Sequence, residues 1–117
     1  MTIGETIFSA LTGDAAVSAI VNTHVYPLVI PQGGTLPAVT YQRIYGAPVN
    51  DLAGAGQLIR ARVQVDCWAT SYSGVRALAG AVYAALCGIG FLPINDMDDF
   101  DDEVPVYRVV LEFTVWT

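Results

Sequence analysis

Lysine is missing from the 117 residues, and the five basic side chains are all arginine: Arg43, Arg60, Arg62, Arg76 and Arg108. Without a side-chain amine, the chain is excluded from Schiff-base enzymes, from lysine general bases and from P-loop phosphate sites. One histidine, His24, and two cysteines, Cys67 and Cys87, are too few for a dedicated zinc site, which usually draws four ligands from Cys and His. Charge is also scarce: 14% of residues are charged against 54% hydrophobic, well under the roughly 25% charged of ordinary soluble domains. Some of the surface is therefore expected to be covered by a partner. No apolar run nears the roughly 20 residues that span a bilayer, and the N-terminal residues lack the layout of a secretory signal. The expectation is one soluble, unexported folding unit over residues 1–117, with no cofactor and no membrane partner.

What charge there is has a simple anatomy. Asp96, Asp98, Asp99, Asp101, Asp102 and Glu103 crowd into one short stretch, while Glu5, Asp14, Asp51, Asp66 and Glu112 balance the arginines, leaving a net charge of -6. The body is neutral and the tip acidic. No basic cluster exists to displace counterions from phosphates, so sequence-specific nucleic-acid binding is not expected.

Thr2 to Val21 reads as helical, with Ile3, Ile7, Phe8 and Leu11 on one stripe, a break at Gly13 and a second start at Asp14, a suitable N-cap. Thr23 to Leu36 carries Pro27, Pro31, Gly33 and Gly34 and reads as a loop. Ala38 to Tyr45 reads as a strand, Gly46 to Gly56 as a flexible connection, and Leu58 to Ala69 as the strongest strand signal in the chain. There Ile59, Ala61, Val63, Val65 and Cys67 alternate with Arg60, Arg62, Gln64, Asp66 and Trp68. A strand of that length is expected to project past its core.

Ser71 to Cys87 reads as a helix stopped by Gly88, with Tyr72, Val75, Ala79, Val82 and Leu86 facing a sheet. Its other face shows Ala77, Gly80, Ala81 and Ala84 where charged residues would suit water. That stripe is either a subunit contact or an alanine-rich exposed face. Ile89 to Ile94 gives a short strand, the acidic stretch a solvated hairpin or loop, and Val106 to Thr117 a last strand. The order helix, two strands, helix, two strands implies an α+β fold: an antiparallel sheet of about four strands backed by two helices. Its far face would carry Arg60, Arg62, Gln64, Asp66, Arg108 and Glu112.

His24 can be drawn with Cys67, or with Ser71 and Asp66, as a nucleophile site, but no nucleophile elbow or oxyanion loop accompanies them. The cysteines lie in apolar settings that suit buried thiols. The acidic run offers oxygen ligands for a divalent cation, yet Phe100 and Asp101 stand where a calcium loop wants an oxygen ligand and then glycine. A solvated acidic segment is the simpler reading.

The segments Tyr26-Pro-Leu-Val-Ile-Pro-Gln-Gly33, Leu36-Pro-Ala-Val-Thr-Tyr-Gln-Arg-Ile44, Arg62-Val-Gln-Val-Asp-Cys-Trp-Ala69 and Tyr107-Arg to Phe113-Thr-Val-Trp116 resemble the tail completion family of long-tailed bacteriophages and prophages, also called tail terminators or tail-to-head joining proteins. The resemblance covers nearly the whole chain. It implies a non-enzymatic virion subunit, made in the bacterial host cytoplasm and placed at the head–tail junction. Such subunits assemble as a ring, usually a hexamer, that ends growth of the tail tube and meets the head connector. The implied partners are further copies of the chain, the major tail tube protein and the head–tail connector. From patterning, the interaction residues would be Ala77, Gly80, Ala81 and Ala84 on the helix, Arg60, Arg62, Arg108, Asp66 and Glu112 on the sheet, and Asp98, Asp99, Asp101 and Asp102 at the tip. The acidic tip would face either the channel or an end of the ring; a loop at the sheet edge favours the end. The competing readings are a small-molecule-binding α+β domain with a pocket at Tyr41, Tyr45 and Trp68, and a related phage neck or connector protein.

Overall fold

The computed structural model describes residues 2–48, 59–102 and 104–116, with backbone alone at 45–48 and 59. The expected connection over Gly46 to Gly56 thus lies mostly outside the described residues. The helices are α1 (Ile3–Gly13), α2 (Ala15–Val21) and α3 (Tyr72–Gly88), and the strands are β1 (Val25–Pro27), β2 (Ala38–Pro48), β3 (Ile59–Ala69), β4 (Leu92–Asp101) and β5 (Val106–Trp116).

Local chemistry sets the helix ends. The Thr2 hydroxyl accepts from the Glu5 amide at 3.1 Å while a Glu5 carboxylate oxygen accepts from the Thr2 amide at 3.3 Å, closing a capping box on α1. Asp14 ends that helix and starts the next by accepting from the Ala16 and Val17 amides. Ser71 caps α3 through the Gly74 amide at 3.1 Å. The stop of α3 falls two residues beyond the expected Gly88. Gly90, at φ +96°, takes the left-handed position, with its amide on the Cys87 carbonyl and the Phe91 amide on that of Leu86. This is a Schellman closure, in which only glycine turns without steric cost.

The strands form one five-stranded sheet in the order β1-β2-β3-β5-β4. It corrects the four-strand expectation in two places. Val25–Pro27, in the segment read as a loop, pairs parallel with Val39–Tyr41, and the acidic stretch is strand rather than loop, Leu92–Asp101 running antiparallel to β5. The other pairings are antiparallel. Among the described residues three helices rather than two back the sheet, because Asp14 divides the first into two.

All helices lie on one face, α1 over β1 and β2 and α3 over β3 and β5. Beneath them Ile7, Leu11, Val17 and Val21 meet Val39, Val63, Val65, Cys67, Leu111 and Phe113, with Val75, Leu78, Val82 and Leu86 of α3 completing the core. Phe8 and Tyr72, expected to face inward, are instead exposed. α1 sits close to β2 at Gly4, where a Cβ would come within 3.3 Å of the Tyr41 ring. β3 keeps β2 on one side and β5 on the other from Arg60 to Trp68, so its length is covered within the sheet, and no overhang appears among the described residues.

Candidate functional site

The alternation of β3 places its polar residues on the sheet face away from the helices, and β5 brings Arg108 and Glu112 there in register: Gln64 opposite Glu112 and Trp68 opposite Arg108. The sequence foresaw this grouping. Arg62 meets the mostly buried Glu112, Nη2 to Oε1 at 2.7 Å and Nε at 3.2 Å. Arg108 spans three neighbours, with Nη1 at 3.5 Å from Asp66, Nη2 at 2.6 Å from Asp99 and its guanidinium 5.2 Å above the Trp68 ring. Gln64 donates to Asp66 at 2.9 Å, and the Trp68 indole donates to Thr40 at 3.0 Å. Burial pushes the Asp66 carboxyl above its ordinary range, against the pull of Gln64 and Arg108. The Arg108 hydrogen bond holds Asp99 below it. Arg60 is exposed, opposite Trp116 in the register.

A cleft of about 400 Å³ opens on this face between Trp68, Arg108, Asp66 and the segment Leu28–Ile30. That segment is shaped by Leu28, at φ +66°, around which the Val29 amide reaches the Pro27 carbonyl at 2.7 Å. Its side chains are turned out, with Val29 69% exposed. Of the three aromatics expected to furnish a pocket, Trp68 does so. Tyr41 borders the cleft with its ring drawn toward α1, and the Tyr45 side chain is outside the described residues.

On α3, Ala77, Gly80 and Ala84 are exposed and uncharged, as the pattern implied, whereas Ala81 is half-buried against the core. Tyr83, 42% exposed, flanks the stripe, and a groove of about 500 Å³ runs between Gly80 and Tyr83 on α3 and Pro93 and Ile94 on β4.

The acidic stretch is divided by the pleat. Asp96 and Asp98 turn to the helix side, where Arg76 binds them at 2.9 and 3.2 Å and the Tyr72 hydroxyl donates to Asp98 at 2.8 Å. Asp99 turns to the other side and meets Arg108. Asp102 is exposed in the turn after the strand, and Glu103 lies outside the described residues. Sequence reasoning missed these partners, since Arg76 stands twenty residues from Asp96 and only the fold joins them. A faint signal was present in Arg76, the one charge on an otherwise uncharged helix.

The catalytic combinations come apart. His24 Nδ1 lies 3.5 Å from the Thr35 hydroxyl. Cys67 is buried in the helix-side core with its thiol pushed up by burial, Asp66 faces the opposite side, and Ser71 is engaged as a helix cap. Among the described residues no group of three or more His, Cys, Asp or Glu is arranged to hold a metal ion, and no helix is long and apolar enough to cross a membrane.

The sheet is thus closed on one face by helices, carries ion-paired Arg62 and Arg108 on the other, and has an uncharged helix stripe turned outward. The profile of the family described as "Tail completion protein gp17" matches residues 5–117, and the chain belongs to that family. It is thus a structural component of a phage tail. In fold it is similar to a chain from the structure titled "Virion of native gene transfer agent (GTA) particle", with a TM-score of 0.81 at 21% identity over 97% of this chain and 92% of that one. No curated protein matches in sequence.

Proposed function

We propose that the chain closes into a ring, a hexamer of identical subunits, that caps the tail tube, ends its growth and joins the tail to the head connector. Its partners are other copies of itself, the major tail tube protein and the connector, and it acts at the head–tail junction without catalysing a reaction. Beyond family membership, the observation that carries the ring is the exposed Ala77, Gly80, Ala84 stripe on α3. A helix without charge on its outer face is suited to cover by a neighbour, and small side chains permit close approach. The fold shared with a chain of a virion supports a place in such a particle.

The ring predicts a mass several times that of the monomer by light scattering, and annular particles by electron microscopy. Ala84→Glu, at an exposed position, would place a charge in the contact and lower that mass while leaving the monomer folded. Ala81 serves this test poorly because it packs on its own core. An unchanged mass for Ala84→Glu removes α3 from the contact, and a monomeric native protein removes the ring. The small-molecule reading retains one supporting observation, the cleft beside Trp68; a monomeric protein would favour it.

A further inference from the structure

Among the described residues the sheet ends on one side in β4, ten residues paired on one flank only and exposed at every position. We propose that this open edge is a docking strand for an extended, basic segment of another protein, which adds to the sheet as a sixth strand. The inference gives the tail-joining reading a mode of partner attachment and rests on it for the partner's place.

Three observations carry it. The amides of Asp96 and Phe100 are each taken by a side-chain oxygen of the preceding residue, Asn95 at 3.0 Å and Asp99 at 2.9 Å. Residues 96, 98 and 100 turn their backbone groups to the same edge of the strand, and these local acceptors mark that edge as the open one. An incoming carbonyl replaces them without disturbing the ladder to β5. Beside the strand, the groove against α3, with Tyr83, Pro93 and Ile94 in its walls, has room for alternate side chains of the added strand. Main-chain bonds along an edge with a side-chain groove next to it is how strand addition obtains both affinity and selectivity.

Charge selects the occupant. β4 carries four aspartates against the two arginines that reach it, Arg76 on Asp96 and Asp98 and Arg108 on Asp99, so the edge keeps a negative excess and a strand bearing Lys or Arg is favoured. A second copy joined β4 to β4 is not, because it would set aspartates against aspartates.

The experiment uses the full chain and three decapeptides: alternating lysine and valine, alternating glutamate and valine, and the lysine–valine peptide with alternate amides N-methylated. Hydrogen–deuterium exchange is followed over residues 92–101, with affinity from fluorescence anisotropy. The lysine–valine peptide is expected to slow exchange there and to bind at least about tenfold tighter than the other two. Equal binding of the N-methylated peptide overturns the proposal, because charge alone then suffices. So does exchange that stays unchanged on binding, or slow exchange at the edge before any peptide is added, which would mean another copy already occupies it. Light scattering on the same samples reads the ring separately: a monomer that binds the lysine–valine peptide overturns the ring and leaves the docking strand standing.

Discussion

Asp66 shows how a single residue records the two sides of this sheet. Its neighbours Val65 and Cys67 are in the core, while the pleat turns it outward into the cover of Gln64, Arg108 and Glu112. Burial raises its carboxyl, so the folded state holds the proton more tightly than the unfolded chain does. Stability from this group is therefore full below the unfolded value, declines as pH rises through the window up to the folded one, and stays reduced at neutrality. Asp66→Asn keeps the oxygen that accepts from Gln64 and removes the charge. By urea unfolding at pH 7 it is expected to be neutral or stabilising by up to about 1 kcal/mol, with the gain vanishing near pH 4. A clear loss at pH 7 would mean that the Arg108 pair outweighs desolvation. Asp99 has the opposite sign. Held down by Arg108, it contributes above the unfolded value and the contribution is lost as pH falls through the folded one. A strand alternation this regular made the company of Asp66, Glu112, Arg62 and Arg108 readable from the sequence, because a period of two assigns faces without knowledge of the fold.

At the scale of elements, legibility followed the strength of local signals. β3 was readable because eleven residues alternate without fault, and α2 because Asp14 is a capping residue. β1 was not, since three residues among prolines and glycines have no pattern of their own and owe their strand conformation to Val39–Tyr41 alongside. The part of β4 beyond Ile94 was read as a hairpin or loop for two physical reasons. Aspartate is poorly suited to strands, and the register shift between Pro93 and Asn95 breaks the alternation that would have betrayed it. Counter-charges contributed by Arg76 and Arg108 from other elements make the strand tenable. The stop glycine of α3 was misplaced by two residues because two glycines compete for one role. A pair of substitutions separates them: Gly90→Ala, at positive φ, should destabilise by about 1–2 kcal/mol, whereas Gly88→Ala, helical and with open space at its Cβ, should stabilise by roughly 0.5–1 kcal/mol. Thermal or urea unfolding of the two variants checks the assignment, and the opposite order would return the stop to Gly88.

For the whole molecule, the deficit of charge that the composition showed resolves into particular places. On the outer sheet face Arg62 and Arg108 are paired with Glu112, Asp66 and Asp99, α3 presents an uncharged stripe, and negative charge gathers at the end of β4 and the turn that follows. An acidic tip fixed at a sheet edge, rather than on a mobile loop, presents its field in a constant direction. Such a field steers encounter with a basic surface more than it adds affinity. Because Asp98 and Asp99 are bound to Arg76 and Arg108, replacing Asp98, Asp99, Asp101 and Asp102 together by Asn would also take one partner from each arginine and confuse the outcome. Asp101→Asn with Asp102→Asn is the cleaner variant, since it lowers the tip charge by two and leaves both arginine pairs in place. Head-to-tail joining by this variant should slow by about threefold to tenfold at low salt, where the Debye length is long. The difference should shrink as salt is raised, with ring mass unchanged throughout. Normal joining combined with slowed DNA ejection would place the tip in the channel instead, where its charge would repel passing phosphates.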